Sequence, residues 1–174
     1  MALQQAAAKA ALVRSNGSSR LSGEHGRPGW TRGSVALIAR YLIDTSAAAR
    51  MRHPEVSRRL RPLIEGGVVA TTASLDAEAL YSARGPAEYE QLWADRRAAY
   101  AYLPTNDEHW QTALGAQRAL ARTGQHRAVG MADLLTATLA AAHQLTVVHY
   151  DADFETAATV LTFQHHWVLP RGSA

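Results

Sequence analysis

Five carboxylates in this chain, Asp44, Glu78, Asp133, Asp151 and Asp153, stand at the edges of apolar stretches. Asp44 closes the run "RYLID" (40–44), and Thr45 and Ser46 follow it at once. Asp151 and Asp153 follow "TVVHY" (146–150), and Asp133 opens the nearly charge-free "MADLLTATLAAA". Glu78 lies one turn into the helix expected after "VVATT" (68–72). On that helix Leu75, Ala79 and Ala83 form an apolar stripe, and Glu78 falls about 60° to one side, at the rim of the core. Each acid alone has a plain reading: Asp44 as a helix cap, Asp133 as a first-turn acid on a helix dipole, "DAD" as a turn. Together they pose a charge problem. Carboxylates about 5 Å apart repel by roughly 3 kcal/mol per pair at an effective dielectric near 20. Such a cluster takes up protons, draws in cations or is held by a divalent metal. No Lys follows Lys9, and the sequence singles out no structural Arg partner. An oxygen-only ligand set favours Mg²⁺ or Mn²⁺. Thr45 or Ser46 would then donate the hydrogen bond that fixes Asp44 as a ligand.

The elements that must position these acids alternate in type. Residues 40–44, 68–72, 100–104, 146–150 and 165–169 read as five short strands. Helices are expected over 46–52, 54–65, 75–83, 87–99, 105–124, 131–143 and 153–160. Pro54 suits a first helical position, Ser74 is the expected N-cap of the third helix, and Thr105 with Glu108 would form a capping box. Arg118 and Arg122 sit where a helix C-terminus favours cations. Strand–helix alternation at this spacing implies an α/β fold, a central parallel sheet with helices on both faces. Sites in such sheets form at the carboxyl ends of the strands, where the acids fall.

Composition narrows the field. With 174 residues the chain can build one domain with a real core. It has no Cys, which excludes disulfides and thiolate zinc sites and makes a reducing, cytoplasmic setting the expectation. No apolar run approaches the roughly 20 residues that span a bilayer. The net charge of +3 is unevenly placed. Residues 1–40 carry six basic side chains against Glu24 alone, a net +5, while residues 41–174 carry 12 Arg against 14 acids, a net −2. Overall pI is therefore weak support for nucleic-acid binding. Residues 1–34 are rich in Gly, Ser and Arg and poor in large apolar groups, so they read as a disordered or loosely ordered extension. A short Ala-rich helix over 3–14 would be marginal alone. Val35 is an alternative first residue, and the domain is expected over 35–174. The Arg- and Ser-rich, acid-poor make-up of residues 1–34 also resembles a transit peptide.

"YLIDTSA", the acid in "LDAEALYSAR", "MADLLTATLAAAH" and "VVHYDADFE" resemble, in order and spacing, the four acidic motifs of PIN-domain ribonucleases. The likeness is greatest to the toxin half of VapBC toxin–antitoxin pairs and covers about residues 39–170. It implies a PIN-like three-layer α/β/α fold and metal-dependent hydrolysis of an RNA phosphodiester, in transfer or ribosomal RNA. It implies Asp44, Glu78, Asp133 and Asp151 as the catalytic acids. Asp44, Asp133, Asp151 and Asp153 would be the metal ligands, with Asp151 and Asp153 open alternatives for the fourth. It implies Mg²⁺ or Mn²⁺ as cofactor, a VapB-type antitoxin as partner, and a homodimer.

Other features have competing readings. Arg50, Arg52, Arg58, Arg59 and Arg61 cluster beside Asp44, as a phosphate-contacting patch or a solvated helix face. Arg50, Arg52, Arg58 and Arg84 are the candidate RNA contacts; Arg96 and Arg97 are alike in kind and weaker. His149, His165 and His166 match no zinc spacing and read as edge-strand or surface residues. Trp93, Trp110 and Trp167 read as core rather than base-stacking platforms, and Trp30 lies in the loose segment. Two other functions compete: a catalytically silent RNA- or protein-binding domain of this fold, and a phosphohydrolase of the haloacid-dehalogenase type. The latter also begins with an Asp after its first strand but needs a second acid two residues on, where Ser46 stands.

Overall fold

The computed structural model describes residues 39–173. The expectations for residues 1–34, including the helix over 3–14, Trp30, the transit-peptide likeness and a start at Val35, lie outside the described residues. Within them the chain forms five strands and seven helices. The first half runs β1 (Tyr41–Ile43), α1 (Thr45–Ala48), α2 (Pro54–Glu65), β2 (Val69–Thr71), α3 (Ala73–Tyr81) and α4 (Pro86–Ala99). The second half runs β3 (Ala101–Tyr102), α5 (Asp107–Ala121), α6 (Met131–His143), β4 (Thr146–His149), α7 (Asp153–Ala157) and β5 (Gln164–Trp167).

All strand pairs are parallel, in the order β3-β2-β1-β4-β5. Leu42 is in register with Ala70 on one side and Val147 on the other. Period-two alternation sends neighbouring side chains of β1 into different layers. Ile43 packs with Val56, Leu60 and Ile64 of α2. Leu42 packs with Leu75 of α3, Leu139 of α6 and Phe154 of α7. Outside the second layer, α5 lies on α6 through Ala113, Ala116, Leu120, Leu134 and Ala137. The small residues of α6 allow that close approach, and Leu134–Ala140 is buried throughout. This is the three-layer α/β/α arrangement expected from the alternation. Among the described residues, no helix is long and apolar enough to cross a membrane.

The differences from expectation are local. Strands are shorter than expected by one to three residues; β1 and β2 stop where the residue that caps the next helix begins. The N-cap of α3 is Thr72, whose Oγ1 accepts from Leu75 N at 3.3 Å, rather than Ser74. The capping box of α5 is built by Asn106 and His109, not Thr105 and Glu108: Asn106 Oδ1 accepts from His109 N, and His109 Nδ1 accepts from Asn106 N. In both cases a run of adjacent cap-forming residues permits more than one frame, and the frame that seats the apolar face wins. Trp93 and Trp110 are not core: they are 40% and 44% exposed. Trp93 instead lies under the Arg97 guanidinium, 4.4 Å from the ring centre.

Candidate metal and nucleic-acid site

The strand order fixes where a site can form. From β1 the chain builds outward through β2 to β3, then crosses back to place β4 on the other side of β1. That reversal opens a crevice at the carboxyl ends of β1 and β4. Asp44 follows β1 there, and its amide bonds the Val148 carbonyl of β4 at 2.9 Å. Asp151 follows β4. Asp133 enters from the first turn of α6 and Glu78 from α3. These four carboxylates line one cleft of about 580 Å³. Asp153 does not line it; its amide instead bonds Asp151 Oδ1 at 3.0 Å.

Asp44 is 3% exposed and caps α1. Its Oδ2 accepts from Ser46 N at 2.8 Å and also from Ser46 Oγ. The same Ser46 Oγ accepts from Tyr150 N at 2.9 Å. One hydroxyl thus ties the end of β1 to the end of β4 across the crevice. Of the two hydroxyl residues expected to steady Asp44, Ser46 does so. Thr45 turns the other way and donates to Glu78 Oε2 at 2.8 Å. Glu78 is exposed at the mouth rather than set into the core rim, and this bond holds it there.

The electrostatics follow from the convergence. Burial, above all, pushes the Asp133 carboxyl up to about 7, and the charges of Asp44, Glu78, Asp153 and Asp151 add to the rise. The helix dipole at its first-turn position favours the anion, but burial and four neighbouring acids outweigh it. Burial also raises Asp44, against the lowering effect of its Ser46 hydrogen bonds, and raises Asp153. A Cβ at Gly130, the N-cap of α6, would meet Asp133 Oδ2 at 3.0 Å. The bare backbone there leaves the carboxylate its room.

The donor set suits a hard divalent cation: oxygen only, several anions, and neighbours that raise one another's proton affinity. Among the described residues, though, no three His, Asp or Glu side chains are already disposed to hold one ion. Repulsion keeps the carboxylates around the cleft instead of on a point, and closing them needs the ion's own charge.

The candidate RNA contacts divide. Arg50 donates to the Ser46 carbonyl at 2.7 Å and stacks over Tyr150, 4.2 Å from its ring centre, beside the acids. Arg58 pairs with Glu55 and Arg84 with Glu88, both near the surface, and Arg52 is exposed. Arg96 departs furthest from expectation. It is buried, donating through Nε to Asp76 Oδ1 at 2.7 Å and through Nη2 to Thr71 Oγ1 at 2.8 Å. Thr71 Oγ1 donates to the same Asp76 oxygen at 2.8 Å. Arg97 Nη2 lies 3.3 Å from the other oxygen, which accepts no well-aligned hydrogen bond, so that contact is Coulombic. Sequence reasoning missed this network. Its only sequence signal is an acid four residues into a helix, two positions from Glu78 and so on the opposite face.

His149 is also misplaced by a surface reading, for it is fully buried. Burial, then His165, pushes its imidazole down to about 4, so the ring is neutral. Its Nδ1 accepts from Asp151 N at 3.2 Å, and its Nε2 lies 3.0 Å from His165 Nδ1.

Comparisons with known proteins agree with this architecture. A family model described as "PIN domain" matches residues 41–160. The chain is 40% identical over 138 residues to "Ribonuclease VapC21" of Mycobacterium tuberculosis, covering 79% of this chain and 100% of that protein. It is 40% identical over 137 residues to "Ribonuclease VapC51" of the same organism, covering 79% and 98%. In structure it resembles a chain of DNA-bound VapBC from Salmonella typhimurium, with TM-score 0.58, 17% identity and coverage of 75% and 99%. It likewise resembles a chain of VapBC2 from Rickettsia felis bound to a promoter DNA fragment, with TM-score 0.57, 17% identity and coverage of 73% and 97%. At that identity the two structures speak for the fold alone. With four acids at the β1/β4 crevice of a 3-2-1-4-5 parallel sheet, a matching family model across most of the described residues and full-length relatives named VapC, the chain belongs to the PIN-domain family.

Proposed function

We propose that this protein is a metal-dependent endoribonuclease and the toxin of a type II toxin–antitoxin pair. The observation that carries the reading is the convergence of Asp44, Glu78, Asp133 and Asp151 on one cleft at the reversal of strand order. The names of the similar ribonucleases support it.

Asp44, Asp133 and Asp151 would hold Mg²⁺, or Mn²⁺ in its place, with Asp153 beside Asp151. A bound divalent ion supplies Lewis-acid stabilisation of the scissile phosphate and lowers the pKa of water. The protein's part is placement. Ser46 orients Asp44, and Thr45 keeps Glu78 at the solvent edge of the cleft. Arg50, stacked on Tyr150 beside the acids, and Arg52 offer positive charge to the flanking RNA backbone. Arg58 and Arg84 would have to leave Glu55 and Glu88 to do the same. The partners proposed are a structured RNA substrate, transfer or ribosomal, a VapB-type antitoxin and a second copy of the chain.

The test is cleavage of transfer and ribosomal RNA by purified protein with Mg²⁺ or Mn²⁺. The parent should cut, chelator should stop it, and an Asp44→Ala, Asp133→Ala double variant should be inactive. Cutting by the double variant at the parent's rate overturns the proposal. For the toxin role, expression alone should slow growth and co-expression of the adjacent small antitoxin gene should restore it. One observation favours a silent binding domain: no three of the acids are yet placed to hold an ion. Absence of Mn²⁺ binding at millimolar concentration would decide for that reading.

A further inference from the structure

We infer that His149 is the positioning residue that holds Asp151 in its place at the cleft. The inference rests on the metal-site reading above and adds to it a residue that touches neither metal nor RNA. His149 is the last residue of β4 and is fully buried. Its ring lies 4.8 Å from Phe154 and 5.1 Å from Trp167, centre to centre. Packing alone would be met by any large apolar side chain. The polar contacts would not.

His149 Nδ1 accepts the Asp151 N–H at 3.2 Å, so the proton of this neutral ring sits on Nε2. Nε2 then donates to His165 Nδ1 on the neighbouring strand, at 3.0 Å. Each nitrogen thus has one role, and the tautomer is fixed from both ends. The next turn repeats the device: Asp151 Oδ1 accepts the Asp153 N–H at 3.0 Å. Two linked turns peg the loop to the sheet. In this register Asp151 lines the cleft, and Asp153, its amide tied to Asp151, stands near enough for its charge to act on Asp133. An apolar residue at 149 would leave the Asp151 N–H without its acceptor and loosen the loop that carries the Asp151 carboxylate.

The experiment is Mn²⁺ titration by calorimetry on the full chain and on His149→Leu and His149→Asn. Loss of a partner that orients a ligand typically costs 10–100-fold in metal affinity. His149→Leu should therefore weaken Mn²⁺ binding about tenfold or more. His149→Asn, whose Oδ1 can stand where Nδ1 stands, should recover most of it. A packing role predicts the reverse order, Leu tolerated and Asn worse. In an Asp151→Asn background, His149→Leu should add little, since it acts through Asp151. Binding by His149→Leu equal to the parent's overturns this inference and leaves the metal site standing. Absence of Mn²⁺ binding by the parent overturns both. Should the variants not fold, ¹⁵N chemical shifts of the parent's histidines still decide: a proton found on His149 Nδ1 overturns the assignment.

Discussion

Two aspartates follow neighbouring strands of the same sheet and meet opposite fates. Asp76, after β2, is buried at 3% exposure and faces the Arg96 guanidinium, with Thr71 sharing its oxygen and Arg97 beyond. Asp44, after β1, is buried to the same degree and faces Asp151 and Asp133, with hydroxyl and amide donors but no guanidinium among its hydrogen-bond partners. The first assembly gives its buried acid guanidinium partners; it ties α3 to α4. The second is overcharged, opens to water, and raises the proton affinity of its own members. A buried acid with a partner is a structural joint, whereas buried acids facing one another are held against their own repulsion. In a folded protein, that arrangement points to a cation the fold expects. Arg96 lines the far wall of the same cleft, yet its charge is already committed to Asp76.

The comparison can be broken most sharply at the acids. Asp44→Ala or Asp133→Ala should lower RNA cleavage by about a thousandfold or more, because the charge stabilisation supplied through the ion, worth several kcal/mol, is lost. For Asp133→Ala the thermal midpoint of the metal-free protein should hold or rise, since a repelling charge is gone; Asp44→Ala should lower it modestly, because Asp44 also caps α1. A fall of many degrees would mean that the acidic mouth is a structural joint too.

The converse change is Arg96→Leu. It leaves Asp76 buried with its main partner missing and should cost about 3–5 kcal/mol in denaturant unfolding. An Asp76→Leu, Arg96→Met double variant should regain most of that loss. If the double variant is no better than the single, the network is more than a charge match. Between these extremes lies Ser46→Ala, which takes the Ser46 hydroxyl from Asp44 Oδ2 and from Tyr150 N together and leaves Asp44 the backbone N–H of residue 46. It should weaken Mn²⁺ binding about 10–100-fold.

The pH response separates the two assemblies without altering a residue. Asp133 keeps its proton in the folded chain until about pH 7 but loses it near its ordinary value of 3.8 when unfolded. Between those values the unfolded state holds fewer protons. The metal-free protein should therefore lose stability as pH rises from about 4 to about 7. Asp44 and Asp153 are raised too and act with the same sign. The rise in melting temperature on adding Mg²⁺ should grow across that window, and Asp133→Asn should flatten both trends. Equal Mg²⁺ shifts at pH 5 and pH 8 would count against the coupling. The smallest effect should come from Arg84→Ala. It removes an exposed, solvent-screened pair with Glu88 and should leave the denaturant midpoint essentially unchanged.

How far the sequence could be read depended on whether a feature is local. Asp44 was legible because an apolar strand ends on it, and the alternation of strands and helices gave the layered parallel fold. Four acids at strand ends and helix starts pointed to one place. Asp76 was not legible, because two acids two positions apart on one helix look alike until the faces are known. Its partner Arg96 is 20 residues away on another helix and resembled a surface base. His149 read as a surface or edge residue because nothing in "TVVHY" says that Phe154 and Trp167 will close over it. Trp93 and Trp110 erred the other way: a large aromatic on a helix can cover a guanidinium, as Trp93 does for Arg97, or stand exposed, as Trp110 does.

The amino-acid order by itself determined the element types, their parallel arrangement and a set of acids at strand ends and helix starts. Those follow from period, capping chemistry and charge, each set within a few residues. Tertiary structure alone decided which groups meet: Arg96 cancels Asp76 at 20 residues' separation, Thr45 bonds Glu78 at 33, and Tyr150 bonds Ser46 at 104. Hydrogen bonds and Coulomb forces act over ångströms in space, so their partners are settled only when the sheet brings distant segments side by side.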